Sequence, residues 1–432
     1  MPHQTEAVRF LEERAGCGLL AMEPGTGKTL ATLEFLRRNF VWPVLIVAPV
    51  SILGMWKNEI AKWYPDLRVS LIRGTKVQRQ KAYQAQAEVY LMGYENFRNE
   101  RDIASKLPVV GCVLDESGKV RTPTAKVSKA LRTFLPPVRI ALDGTPVSNT
   151  IADLWNVSEW IKPKVFYGNW WTFRKKHAIM NAYIPGKIDG WRDMEWITQK
   201  ANEHIFWKKK TDVLKDLPPV TQTDMLLEQT PEEKRVYKQI KEELRFEFEG
   251  EEITIANALA LLMRLRQAAN GVFTSPEQPT KTKAVIDLVQ SLPPDAKIVI
   301  FSQFETVVSH LLEKLPFSCV SITGAMKPEE RDETVKRFED DPSIRAIVMT
   351  SAGEKGLNLQ CASYMIQYDL VWSAASEEQR IGRIWRHGQT QACTVWNLLM
   401  ENTVDTHMRR ILSRKKELAE QVSMQDIIDI LE

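Results

Sequence analysis

The segment Met22-Glu23-Pro24-Gly25-Thr26-Gly27-Lys28-Thr29 constrains the fold more than any other stretch of this chain. The apolar run Gly18-Leu19-Leu20-Ala21 precedes it, and Leu30, Leu33 and Leu36 follow at helical spacing. Strand, glycine-rich turn and helix is the order in which backbone N–H groups close around phosphate oxygens. Pro24, Gly25, Thr26 and Gly27 would form the cradle. Lys28 would reach the terminal phosphates of ATP, and the Thr29 hydroxyl would face Mg²⁺.

A chain of 432 residues has room for roughly two to four domains. The net charge of +3 permits a nucleic-acid partner without demanding one, so any basic surface must be local. Five cysteines (Cys17, Cys112, Cys319, Cys361, Cys393) lie far apart, which argues against zinc and disulfides and for a reducing compartment. His177, His204, His310 and His407 are isolated, and no metal is assigned to them. No apolar run has membrane-spanning length and no signal-peptide pattern opens the chain. The expectation is a cytoplasmic enzyme core with no membrane partner.

Short apolar runs alternate with helical patterns, which reads as parallel α/β. Strand candidates in the first half are Val44–Ala48, Val89–Met92, Val109–Leu114 and Arg139–Leu142. In the second half they are Ile298–Phe301, Cys319–Ile322, Ala346–Thr350, Tyr364–Tyr368 and Thr394–Leu399. Seven of the thirteen tryptophans (Trp155, Trp160, Trp170, Trp171, Trp191, Trp196, Trp207) fall between the groups. They are mixed with the basic clusters Arg174-Lys175-Lys176 and Lys208-Lys209-Lys210. These tryptophans read first as the core of a small helical insert and second as stacking platforms for bases. Leu217-Pro218-Pro219 reads as a linker and Pro231–Arg266 as helical. The expected division is a first lobe over 1–152, a tryptophan-rich protrusion and linker over 153–218, a helical protrusion over 219–280 and a second lobe over 281–432.

Two further motifs carry chemistry. Asp115-Glu116 follows an apolar strand, where Asp115 can hold Mg²⁺ and Glu116 can deprotonate an attacking water. Arg383 and Arg386 are three residues apart, which on a helix places them on one face. Two arginines aimed at a γ-phosphate would stabilise the charge of the transition state.

In this order the motifs resemble the Swi/Snf-type ATPases of helicase superfamily 2, in a compact bacterial or phage form. The resemblance covers almost the whole chain. The short loop ending Gly-Thr-Gly-Lys-Thr is typical of helicase-type ATPases, although Met22 stands where a full phosphate loop has glycine. Pro2-His3-Gln4 resembles the adenine-reading glutamine motif, which makes Gln4 a nucleotide contact. Val44–Trp56, with Pro49 and Ser51, resembles a strand-contacting segment, as does Met92-Gly93-Tyr94-Glu95. Leu142–Asn149 resembles the Gly-Thr-Pro motif that links nucleotide state to DNA, with Thr145 as the contact. Lys209–Pro218 resembles the segment joining the lobes. In the second half, Ile298–Phe304 supplies Ser302 and Gln303, and Ile322-Thr323-Gly324 supplies Gly324. Thr350–Gln360 supplies Thr350, Ser351 and Gly353 for DNA and Gly356 for nucleotide. Arg386-His387-Gly388-Gln389 ends as this family ends the motif.

The resemblance implies two RecA-like parallel-sheet lobes with helical protrusions, the cofactors ATP and Mg²⁺, and an ATP hydrolase. It implies a monomeric translocase on double-stranded DNA, including forked or branched forms, that moves without separating strands. The rival readings are a strand-separating helicase and an ATP-gated DNA-binding module without translocation. One departure bears on coupling. The family has histidine three residues after the aspartate of Asp-Glu, where this chain has Gly118. Glycine has no side chain with which to link that segment to Gly144-Thr145-Pro146.

Overall fold

A computed structural model describes residues 1–147, 152–182, 188–247, 255–271, 278–350, 357–371 and 373–418. Two compact units divide the chain, Met1–Lys215 and Asp216–Glu432.

The first unit holds a seven-stranded sheet in the order β3-β4-β2-β5-β6-β1-β9, parallel throughout. Its strands are β1 Cys17–Met22, β2 Val44–Ala48, β3 Val69–Ile72, β4 Val89–Gly93, β5 Gly111–Asp115, β6 Val138–Asp143 and β9 Ile205–Lys208. The central strands β2, β4 and β5 are buried at every residue, as expected of a parallel sheet covered on both faces. One apolar cluster includes Leu45, Val47, Leu114 and Trp155. The cluster on the opposite strand face includes Val44, Ile46, Val113 and Trp56. A separate antiparallel pair, β7 Ala178–Met180 and β8 Ile188–Trp191, stands within the tryptophan-rich stretch.

The second unit holds a six-stranded parallel sheet in the order β10-β15-β14-β11-β13-β12. Its strands are β10 Val220–Leu227, β11 Ile298–Phe301, β12 Cys319–Ile322, β13 Ala346–Met349, β14 Tyr364–Gln367 and β15 Cys393–Met400. The fold class is therefore α/β, with two parallel sheets and helical additions. Helices Pro231–Glu247 and Ile255–Ala269 occupy most of the stretch read as helical.

Two strands of the large sheets lie outside the regions expected from sequence. β9 comes from the tryptophan-rich stretch and closes one edge of the first sheet beside β1. β10 comes from the stretch read as linker and helical protrusion, and closes an edge of the second beside β15. Both are edge strands. β9 has only four residues, and β10 alternates half-buried with exposed positions. Neither carries the continuous apolar run that marks the central strands.

Candidate nucleotide site and candidate residues of the second unit

The candidate nucleotide site stands at the C-terminal ends of three neighbouring strands, β1, β6 and β5, where parallel α/β sheets bind ligands. The phosphate loop leaves β1, and helix Lys28–Arg38 starts at its end. Gly25 and Gly27 take left-handed backbone angles, φ 86° and 83°, which a side chain would strain. A side chain at Gly27 would also run into the Gln4 amide. Gln4 donates from Nε2 to the Gly27 carbonyl at 3.3 Å, and buried His3 pairs through Nε2 with the Thr26 carbonyl at 2.8 Å. His3 and Gln4 thus brace the loop. Lys28 donates from Nζ to the Met22 carbonyl at 2.6 Å.

Glu23 ties the loop to the far end of the unit. Its backbone N–H donates to the Lys208 carbonyl at 3.2 Å, and its carboxylate accepts the Lys210 N–H at 2.8 Å. Lys208 in turn pairs with Glu6 at 2.8 Å. Lys208 and Lys210 are therefore engaged within the unit, and Lys210 is buried. Of that basic cluster, Lys209 is the exposed residue.

Asp115 ends β5 and is buried. Trp56 Nε1 donates to its Oδ2 at 2.9 Å, the Glu116 N–H donates to Oδ1 at 2.9 Å, and the Tyr94 hydroxyl donates to its carbonyl at 2.9 Å. Burial first, and then neighbouring Glu116, push the Asp115 carboxyl up to about 6, while Lys28 opposes the shift. A buried, hydrogen-bonded carboxylate with the Thr29 hydroxyl is a hard oxygen donor set of the kind Mg²⁺ takes. Glu116 has φ 53° and ψ 52°, a left-handed conformation costing a non-glycine residue roughly 1–2 kcal/mol. Such strain is maintained when the surroundings over-determine it.

Asp143 ends β6 and links the two motif segments. Its Oδ2 accepts the Gly118 N–H at 2.6 Å and the Ser117 hydroxyl at 3.3 Å, while Oδ1 accepts the Thr145 N–H at 2.9 Å. The bridge that Gly118 cannot make with a side chain is made through its backbone. A Cβ at Gly118 would lie 2.7 Å from an Arg121 nitrogen and 3.2 Å from Asp143 Oδ2. Asp143, Trp56 and Glu23 are contributions that motif reading missed. An aspartate closing a strand directly before Gly144, in the manner of Asp115, was the available signal.

Segments read as DNA contacts follow the other half of the same sheet edge. Pro49 and exposed Ser51 follow β2, and Gly93 and Tyr94 come at the end of β4. The Tyr94 side chain is buried with its hydroxyl on Asp115, so it positions the site instead of facing outward. In the second unit, Ser302 and Gln303 follow β11, Thr350 follows β13 and Gly324 follows β12, on three adjacent strands. Ser302 and Thr350 are buried, and Gly324 is exposed. Ser302 donates to Asp369 Oδ2 at 2.5 Å and the Gln303 N–H donates to Oδ1 at 2.9 Å. Ser351, Gly353 and Gly356 lie outside the described residues.

Arg383 and Arg386 do not share a helix face. Helix Ala374–Ile381 is capped by Gly382, and both arginines lie in the turns beyond it. The carbonyls that would extend the helix accept from elsewhere. The Leu359 N–H takes the Arg383 carbonyl at 3.1 Å, and the Gln389 amide takes the Ile384 carbonyl at 3.1 Å. Buried Arg383 donates to the Leu357 carbonyl at 3.1 Å, while Arg386 is half-buried. Gln389 also donates to Ala362 and accepts the N–H groups of Thr390 and Gln391, so it organises the whole turn.

The profile of the SNF2-related domain matches residues 3–273, and that of the helicase conserved C-terminal domain matches residues 280–388. The chain belongs to the SNF2-related family. This SNF2-related chain is 25% identical, over 97% of its length, to an uncharacterized ATP-dependent helicase of Mycoplasma pneumoniae, covering 41% of that protein. It is 27% identical, over 94% of its length, to the human SWI/SNF-related matrix-associated actin-dependent regulator of chromatin subfamily A member 1, covering 41% of it. The chain thus spans about two fifths of these curated relatives. A solved Sulfolobus solfataricus SWI2/SNF2 ATPase core in complex with dsDNA is 24% identical, covering 97% of this chain and 92% of that one, with a TM-score of 0.46.

Proposed function

We propose that this SNF2-related chain is a DNA-stimulated ATP hydrolase that translocates on double-stranded DNA without separating the strands. One observation carries the reading. The phosphate loop, Asp115-Glu116 and Asp143 stand on the adjacent strands β1, β5 and β6, with the strand-contacting segments on β2 and β4 of the same sheet edge. ATP would lie on the loop with Lys28 at its phosphates and Gln4 beside it. Thr29 and Asp115 would hold Mg²⁺, which supplies charge neutralisation at the phosphates. Glu116 would orient the attacking water and accept its proton. Arg383 and Arg386 would meet the transition-state charge from the second unit. Asp143 would carry a change at Asp115–Gly118 to Thr145, and so from nucleotide to DNA contact.

ATPase rates with blunt duplex, single-stranded and forked DNA, alongside triplex and strand displacement, test this. Duplex-stimulated hydrolysis with triplex displacement is expected. Strand displacement would favour an unwinding helicase, and stimulated hydrolysis with neither displacement would favour an ATP-gated binding module.

A further inference from the structure

Tryptophans concentrated in one insert usually build its core, and most of these do. Trp155 and Trp160 are fully buried, and Trp170, Trp191 and Trp196 pack with Phe166, Phe173 and His177. Trp207 is 45% exposed, but its indole N–H donates to Asn202 at 2.9 Å. Trp171 is different, being 60% exposed on helix Trp170–His177.

Its position is well fixed. The Asn169 side chain caps the helix and accepts the Trp171 N–H at 2.8 Å. The helix turns Phe173 and His177 inward, and leaves Trp171, Thr172, Lys175 and Lys176 exposed. The Arg174 guanidinium lies 5.6 Å from the Trp171 ring centroid and reaches the Met180 sulfur at 3.8 Å. Met180, on β7, is 44% exposed. Lys176 stands 4.2 Å from the Tyr167 ring centroid. These contacts join an indole, a guanidinium and a thioether into one outward-facing ledge with lysines along it. The helix itself carries no acidic residue, and nearby Asp193 and Asp189 are engaged by His177 and Asn181.

We propose that this ledge receives an unpaired base of a DNA strand, with Lys175 and Lys176 on the flanking phosphates. This rests on the DNA-translocase reading and narrows it to DNA with an unpaired arm. An aromatic face interleaved with cations is what single strands bind, because every base has a face to stack. The two exposed lysines favour nucleic acid over a protein partner, since lysine is depleted at protein interfaces. Paired bases in a blunt duplex offer no free face, so the ledge discriminates by strand pairing and not by sequence.

The test is the ratio of affinities for a forked duplex and a blunt duplex of equal length, at one salt concentration. The intact protein should prefer the fork. Trp171→Ala should reduce that preference about tenfold, or ~1.4 kcal/mol. Trp171→Phe should keep most of it, which excludes a folding defect as the cause. Lys175→Glu with Lys176→Glu should weaken fork binding and lower its salt dependence. Stimulation of ATP hydrolysis by blunt duplex should survive Trp171→Ala, and it reports separately on the translocase reading. An unchanged ratio in Trp171→Ala, an equal loss on both DNAs, or no fork preference in the intact protein overturns the inference. If Trp171→Ala instead abolishes capture of a protein while the DNA ratio stays fixed, the ledge is a protein-docking face and the inference is equally overturned.

Discussion

Each sheet of this protein has a buried aspartate at, or just past, the C-terminal end of a strand, and the two are held differently. Asp143, in the first unit, accepts two N–H groups and a hydroxyl. Asp369, in the second, accepts Ser302 and Gln303 and also lies 3.7 Å from Arg266, with both side chains about 1% exposed. The first therefore joins two loops at the candidate nucleotide edge through hydrogen bonds. The second joins a loop to helix Ile255–Ala269 through a buried ion pair as well. A carboxylate held by hydrogen bonds can follow small shifts of its partners. One neutralised inside the protein cannot leave without stranding a charge. The first arrangement suits a moving link, the second a fixed one.

The largest effects test whether chemistry divides between the units as this contrast suggests. Arg386→Ala should lower turnover by roughly 1,000- to 100,000-fold with ATP binding little changed, as measured by single-turnover hydrolysis and nucleotide titration. A loss under about tenfold for both Arg386→Ala and Arg383→Ala would remove the second unit from catalysis. Glu116→Gln should likewise bind ATP and fail to turn it over.

The aspartates come next. Asp369→Ala should cost about 3–5 kcal/mol in denaturant unfolding, because Arg266 is left as a buried charge. Asp143→Ala should cost about 1–3 kcal/mol, yet lower DNA stimulation of the ATPase more than its stability loss would suggest. Equal stability losses, or DNA stimulation untouched by Asp143→Ala, would erase the distinction. Trp56→Phe should cost about 1 kcal/mol and weaken Mg²⁺-dependent turnover, since Asp115 loses one donor.

A smaller effect lies in pH. Burial holds the His204 imidazole down to about 4 from an ordinary 6.5, with Lys162 and Arg14 adding to the shift and Glu203 opposing it. The unfolded chain binds this proton more readily, so stability should fall as pH drops through that window. His204→Leu should flatten that slope in thermal melts. Least of all, Gly118→His should not raise displacement per ATP hydrolysed, because Asp143 already makes the bridge. A clear rise would show that the backbone link transmits poorly.

The central strands and the phosphate loop were legible in sequence because their signals are local: apolar runs, glycines at a turn, an acid closing a strand. β11 and β12 have the bounds the pattern predicts. β9 and β10 were not legible because neither carries the continuous apolar run of the central strands, and not because they are edge strands, since the edge strand β12 was legible. The arginine spacing predicted a helix face, and the Gln389 network overrode it with contacts from residues 359–362. Trp56 was legible only as part of a motif. Its bond to Asp115 joins residues 59 positions apart.

The clamp between Glu23 and Lys210 also offers an intrinsic gauge. The Lys210 amide hydrogen rests on a carboxylate of the phosphate loop, a few residues before the first unit ends. Its exchange with solvent deuterium can occur only when that bond opens. The exchange rate of this single amide therefore records how firmly the loop grips the outgoing chain, in each nucleotide state, without a label or a substitution.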